Sequence, residues 1–121
     1  MSKRILVVED QEDNRQILRD LLSHSGYDMV EAGDGEQAIA QAKKHKPDLI
    51  LMDIQLPVLD GYEATRRLKA DPKLKAIPVI VITSYALSGD EQKARAAGCD
   101  AYVAKPYSPR ALMAKIREFL P

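Results

Sequence analysis

Five short apolar runs alternate along the chain with segments of mixed polarity. Three of the runs are nearly unbroken series of Val, Ile and Leu, which is typical of strands buried on both faces of a parallel sheet. The pattern therefore predicts five strands, at Ile5–Val8, Met29–Ala32, Leu49–Met52, Val79–Ile82 and Ala101–Ala104.

The segments between the runs have helical periodicity. Apolar side chains three or four positions apart form a stripe along one side of a helix. Such stripes mark the first, second and last predicted helices, at Ile17, Leu18, Leu21 and Leu22, at Ala38, Ile39 and Ala42, and at Leu112, Ile116, Phe119 and Leu120.

Local signals indicate where the helices begin and end. Gly26 and Gly98 stand where glycine commonly follows a helix C-terminus. The third helix is predicted to begin near Tyr62, and the pair Ser88 and Glu91 has the spacing of a capping box for the fourth. Ser108-Pro109 has the N-cap and first-turn residues of the fifth helix.

Five strands alternating with five helices predict a three-layer α/β fold in which helices cover both faces of a doubly wound parallel sheet. Functional sites in such sheets lie outside the carboxyl ends of the strands. The residues that directly follow each apolar run are therefore the candidates for chemistry.

The run LILMDIQLP places a carboxylate, Asp53, directly after four large apolar residues. Other polar residues stand in the same position after their own strands: Glu9 and Asp10, Thr83 and Ser84, and Lys105. We expect three carboxylates, hydroxyls and an ammonium group to meet at one edge of the sheet.

An acidic cluster of this kind needs a cation. Two like charges about 4 Å apart repel by about 4 kcal/mol at an effective dielectric constant near 20. Mg²⁺ prefers oxygen ligands and commonly binds one or two carboxylates plus a phosphate. Asp53 is then a nucleophile able to form an aspartyl phosphate, and Thr83 and Lys105 offer a donor and a positive charge to the transferred oxygens.

Composition excludes several classes of protein. The 121 residues include 18 Lys and Arg and 18 Asp and Glu, so the formal net charge is zero, and the basic excess of nucleic-acid-binding or membrane-surface proteins is absent. The single cysteine excludes an internal disulfide and a cysteine-built zinc site. We expect one cytoplasmic domain spanning residues 1–121, with no nucleic-acid or membrane partner.

The motifs ILVVEDQEDNR, KPDLILMDIQLPVLDGYEATR, IPVIVITSYA and GDEQKARAAGCDAYVAKP resemble those of response-regulator receiver domains, the CheY-like family of two-component signalling. Within that family the motifs resemble the single-domain DivK type more closely than CheY. The resemblance implies the strand order 2-1-3-4-5 and a signalling protein that assists its own phosphorylation and dephosphorylation. It also implies a sensor histidine kinase or histidine phosphotransfer protein as phosphoryl donor.

The resemblance assigns roles to individual residues. It makes Asp53 the phospho-acceptor and places Mg²⁺ on Glu9, Asp10, Asp53 and the backbone carbonyl of Gln55. It implies that Lys105 contacts the phosphoryl oxygens, and that the peptide bond between Lys105 and Pro106 is cis.

The resemblance also implies a switch. Thr83 would move toward the phosphoryl group and the Tyr102 rotamer would follow, altering the face formed by the fourth helix, fifth strand and fifth helix, where a downstream protein would bind. From its position alone, Tyr102 is as compatible with core packing as with a role in a switch. Tyr107 and Met113 are expected on that face, and Tyr85 is expected to shield the phosphoryl group from water.

Three alternatives stay open. The chain could be a receiver excised from a hybrid histidine kinase, whereas at natural full length its output would be protein–protein contact. A magnesium-dependent phosphohydrolase with an aspartate nucleophile is disfavoured, because Gln55 stands where its acid/base carboxylate is needed. Flavin binding is disfavoured, because no Ser/Thr/Gly-rich phosphate loop follows Val8.

Overall fold

The computed structural model describes residues 3–83 and 90–120, apart from the side chains of residues 90 and 91. Its five strands are β1 Arg4–Val8, β2 Asp28–Ala32, β3 Leu49–Asp53, β4 Val79–Thr83 and β5 Ala101–Ala104. Its helices are α1 Glu12–His24, α2 Gly35–His45, α3 Gly61–Ala70, α4 Asp90–Ala96 and α5 Pro109–Phe119. The predicted capping box and the hypothesis on Tyr85 concern positions outside the described residues.

All five strands are parallel and lie in the order β2-β1-β3-β4-β5, which confirms the predicted topology. Strands β3 and β4 are buried along their whole length. Strand β2 is largely half-buried, because it has a neighbouring strand on one side only. Four strands extend by one position beyond the apolar runs, and Asp53 and Thr83 are themselves the last residues of their strands.

Two apolar cores lie on opposite faces of the sheet. Alternate β1 residues contribute to each, Leu6 and Val8 to one core and Ile5 and Val7 to the other. The first core contains residues of α2, α3 and α4, and the second contains residues of α1 and α5. The domain therefore has the predicted three layers.

Helix α1 differs in one respect from its predicted stripe. Leu18 and Leu22 are buried, but 59% of Ile17 is exposed. Successive residues of a helix are about 100° apart around its axis, so Ile17 lies to one side of Leu18, where both residues line a cavity with Val7. Ile17 is therefore a member of the predicted stripe that lies outside the buried core.

Helix ends follow the local signals where the structure describes them. The Ser108 hydroxyl accepts a hydrogen bond from the Ala111 amide at 3.0 Å, and Pro109 opens α5. No helix in the described ranges has both the length and the apolar character needed to cross a membrane.

Candidate functional site

Three carboxylates from two adjacent strands meet at the carboxyl edge of the sheet. Glu9 and Asp10 directly follow β1, and Asp53 ends β3. A carboxylate oxygen from each lies within 4.8 Å of the others. Glu9 is 4% exposed and Asp53 is 7% exposed, so two of the three charges have little access to water.

Lys105, just after β5, binds both buried carboxylates. Its Nζ atom lies 3.1 Å from Asp53 Oδ2 and 3.3 Å from Glu9 Oε1. Burial opposes the charged form of Lys105, but the negative charges of Asp53 and then Glu9 outweigh burial and raise its pKa. The ammonium group is therefore charged throughout the physiological pH range.

The side chains of Glu9, Asp10, Asp53 and Lys105 together carry an excess of negative charge. Three carboxylates and one ammonium carry a net charge of −2. Burial raises the pKa of Asp10, and Glu9 adds to this through a hydrogen bond and through its own negative charge. One divalent cation would neutralise the cluster.

The remaining contacts hold the acceptor atoms in place. Asp53 Oδ1 accepts a hydrogen bond from the Gln55 amide at 3.1 Å. Glu9 Oε2 accepts one from the Gln11 amide, and Glu9 Oε1 accepts one from the Asn14 side chain, both at 3.2 Å. Asn14 was not among the predicted site residues, since it lies on α1 and does not follow a strand.

A cavity of about 440 Å³ opens at this cluster. It is lined by the acidic residues, Lys105 and neighbouring amides, namely Glu9, Asp10, Gln11, Asn14, Asp53, Gln55 and Lys105. Apart from Lys105, each of these side chains offers oxygen, which is the ligand atom that Mg²⁺ prefers. The residues present thus fit a magnesium ion, and Gln55 is near enough to contribute to the same cavity.

Thr83 and Tyr102 lie on the two strands beside the acceptor. Thr83 is fully buried at the end of β4, one position beyond Ile82, the register partner of Asp53. Tyr102 on β5 pairs with Val81 and packs against the core that contains α2, α3 and α4. Alternation along β4 places Thr83 on the same face of the sheet as Val81, so Thr83 and Tyr102 are diagonal neighbours.

The expected cis peptide bond is present between Lys105 and Pro106. Met113, however, is 5% exposed and packs in the core beneath α1 and α5, so its predicted place on an exposed partner face is wrong. The half-buried Tyr107 packs against that same core. The apolar stripe of α5 turns Met113 inward with its neighbour Leu112.

Replacing Lys105 by Met is expected to lower the free energy of unfolding by about 2–3 kcal/mol in metal-free buffer, because Asp53 and Glu9 then lose their buried cationic partner. The raised pKa of Lys105 fixes the pH range of this effect. The stabilisation is complete below the ordinary lysine pKa of about 10.4, and it disappears as the pH rises through the folded-state value. Urea unfolding followed by circular dichroism measures it.

Lys115→Met is the matched control for this experiment. Lys115 forms an exposed ion pair with Glu118 at 3.1 Å, which is expected to contribute less than about 1 kcal/mol. Equal losses of stability in the two variants would contradict the buried ion pairs assigned to Lys105. Saturating Mg²⁺ should narrow the stability difference between Lys105→Met and the wild type, and leave the difference between Lys115→Met and the wild type unchanged.

Known proteins of similar sequence are response regulators. Residues 5–117 match the response regulator receiver domain. The polar-differentiation response regulator DivK of Brucella anthropi is 45% identical over 120 residues, covering 99% of this chain and 98% of that protein. DivK of Brucella ovis matches to the same extent.

Solved structures agree in fold and sequence. The receiver domain of sensor histidine kinase PA1611 from Pseudomonas aeruginosa PAO1, solved with a magnesium ion coordinated in its active site cleft, aligns with a TM-score of 0.92 at 37% identity, covering 99% of this chain and 98% of that one. Vibrio cholerae chemotaxis protein CheY4 aligns with a TM-score of 0.92 at 27% identity, covering 98% and 99%. The sheet order, the acidic edge and these matches together establish that the chain belongs to the response regulator receiver domain family of two-component signalling.

Proposed function

We propose that Asp53 accepts a phosphoryl group from a phosphohistidine on a sensor histidine kinase or a histidine phosphotransfer protein, and that all 121 residues act as one cytoplasmic receiver domain. The observation that carries this proposal is the position of the Asp53 carboxylate. It is nearly buried, lies within 4.8 Å of two further carboxylates and contacts an ammonium group at 3.1 Å. An aspartate needed only for solubility or helix capping has no reason to be placed there.

Glu9, Asp10, Asp53 and the carbonyl oxygen of Gln55 would hold Mg²⁺. When bound, the ion supplies the positive charge that offsets the carboxylates and the incoming phosphoryl oxygens. The residues of the chain do the positioning. The Gln55 amide fixes Asp53 Oδ1, and Lys105 directs a positive charge at Asp53 Oδ2.

In the reaction, an Asp53 oxygen attacks phosphorus while the bond from phosphorus to the donor's imidazole nitrogen breaks. The imidazole nitrogen leaves with the bonding electrons and takes up a proton from water. Lys105 is close enough to Asp53 to contact the transferred oxygens as their charge moves from the donor. Catalysis consists of positioning and charge stabilisation, as is general for phosphoryl transfer.

Phosphorylation would then act as the switch. The product adds about 1.5 to 2 negative charges and new acceptor oxygens. Thr83 is the neighbouring hydroxyl on β4, and its movement toward these oxygens would leave space that Tyr102 can fill. Thr83 lies on the strand beside β5 and Tyr102 lies on β5 itself. This pair would link the site to the face formed by α4, β5 and α5, where a downstream protein is proposed to bind.

The output of the chain depends on its natural context. Similarity to DivK favours a regulator that acts by protein contact, whereas similarity to the PA1611 receiver favours a receiver within a hybrid kinase. Both contexts use the same Asp53 chemistry, so the acceptor assignment is independent of the choice.

Acetyl phosphate with Mg²⁺, followed by intact-mass spectrometry, tests the proposed reaction. We expect the mass of one phosphoryl group to be added, and EDTA present from the start of the incubation to prevent formation of the adduct. Steady hydrolysis of small phosphate esters without an accumulating adduct would instead favour the phosphohydrolase. The absence of any magnesium-dependent adduct would contradict the proposal.

A further inference from the structure

Arg15, on the first turn of α1, uses all three of its guanidinium nitrogens. Nη1 donates to the Glu9 carbonyl oxygen at 2.6 Å. Nη2 lies 2.6 Å from the Glu12 carboxylate and Nε lies 3.2 Å from the Glu31 carboxylate. Its side chain is 18% exposed, so α1, β2 and the end of β1 are joined through a largely buried group.

The contact with Glu9 differs in kind from the other two. The Glu9 carbonyl belongs to the peptide group that links Glu9 to Asp10, the two acidic residues after β1. The Glu9 amide is held separately, by donation to the Ala32 carbonyl at 3.0 Å. With both sides of Glu9 bound, the backbone from which the Glu9 and Asp10 side chains project is fixed relative to β2 and α1.

We propose that Arg15 is a positioning residue for the magnesium site, acting through the Glu9–Asp10 peptide group. This inference rests on the proposed function, since it concerns the same ion. Residues outside the ligand set that orient the ligands commonly affect metal affinity by tenfold or more. Here the oriented element is the backbone from which two of the ligands project.

Charge and geometry make opposite predictions for Arg15. A positive charge close to the acidic cluster disfavours binding of a cation, so loss of that charge alone would strengthen Mg²⁺ binding. Loss of the carbonyl contact would weaken it. Lysine keeps the charge, but its single ammonium group cannot reproduce a planar fork of three nitrogens with three partners.

Arg19 provides an internal control. It binds the same two carboxylates, with Nη2 3.2 Å from Glu12 Oε1 and Nε 3.1 Å from Glu31 Oε2. It lies one turn further along α1, and among the described residues its hydrogen bonds and ion pairs are with α1 and β2 alone. Arg15→Lys and Arg19→Lys therefore disturb the same ion-pair network, but Arg15→Lys also disturbs the Glu9 carbonyl.

The test is Mg²⁺ titration of the wild type, Arg15→Lys, Arg15→Met and Arg19→Lys by isothermal calorimetry. Urea unfolding of each metal-free protein is measured in parallel. We expect the Mg²⁺ Kd to rise about tenfold in Arg15→Lys, to rise in Arg15→Met despite the lost positive charge, and to stay within twofold of wild type in Arg19→Lys. In ¹⁵N NMR spectra of the metal-free proteins, the chemical shift of the Asp10 amide resonance should differ from wild type in both Arg15 variants.

A wild-type Kd in Arg15→Lys, or tighter binding in Arg15→Met, would overturn the proposal whatever happens to stability. These outcomes are separable from a failure of the proposed function, because Asp53 is intact in every variant. Asp53 labelling by acetyl phosphate at saturating Mg²⁺ should reach the same plateau in the wild type and in Arg19→Lys. A missing adduct in the wild type would instead count against the acceptor role of Asp53.

Discussion

Asp53→Asn is expected to lose the magnesium-dependent phosphoryl adduct completely while remaining folded. The amide has neither the negative charge nor the nucleophilic oxygen that attack on phosphorus requires. In metal-free buffer the free energy of unfolding should rise by about 1–2 kcal/mol, because Asp53 has two repulsive neighbours and one attractive one. Intact mass measures the adduct, and urea unfolding measures the stability.

Asp20→Asn is the matched control for Asp53→Asn. Asp20 is exposed on α1, where its carboxylate accepts a hydrogen bond from Gln16, and its loss should change neither the adduct nor the response to Mg²⁺. Added Mg²⁺ should stabilise the wild type and the Asp20 variant equally, and Asp53→Asn less, because at a given concentration a ligand stabilises the folded state more when it binds more tightly. An adduct of undiminished yield in Asp53→Asn would place the acceptor elsewhere.

Gly61→Ala is expected to lower the free energy of unfolding by about 3 kcal/mol and to impair phosphorylation at the same time. A Cβ atom at Gly61 would lie 2.2 Å from the Asp53 carbonyl oxygen and 2.8 Å from the Ile54 Cα atom. Both are backbone atoms, so the start of α3 and the end of β3 must separate. The strand end that carries the acceptor carboxylate would be displaced.

Gly33→Ala separates this effect from the general cost of replacing glycine. A Cβ atom at Gly33 would meet only side-chain atoms, at 3.5 Å and 3.6 Å, which is ordinary van der Waals contact. We expect its stability to stay within about 0.5 kcal/mol of wild type. If Gly61→Ala were equally mild, the close approach of α3 to the acceptor strand would be incorrect.

The main elements of the site could be predicted because parallel strands deliver their last residues to one edge. Asp53 and Lys105 are far apart in sequence, yet both follow apolar runs, and their side chains meet at 3.1 Å. The alternation of strand and helix was readable from periodicity alone. The strand order was implied by the family resemblance and is confirmed by the pairing of β1 with both β2 and β3.

The parts of the site that lie on helices could not be predicted in the same way. Asn14 and Arg15 reach Glu9 because α1 packs back against the end of β1, and that packing depends on the shape of the core as a whole. Exposure on the helices was also hard to predict: Ile17 is largely exposed, whereas Met113 is buried. Both side chains are apolar, so apolar character alone does not predict which one faces solvent. Each residue turns the helix by about 100°, and the exposure of a side chain therefore depends on how its helix is rotated against the sheet.

The chemical identity of the phosphorylated residue provides the most direct test. An acyl phosphate is reduced by borohydride to an alcohol, so treatment of the acetyl-phosphate-labelled protein followed by peptide mass mapping reports which carboxylate carried the group. The account predicts one reduced side chain, at position 53, in the presence of Mg²⁺ and none in EDTA. Reduction at Glu9 or Asp10, or labelling of His24 or His45 with no reduced carboxylate, would contradict it.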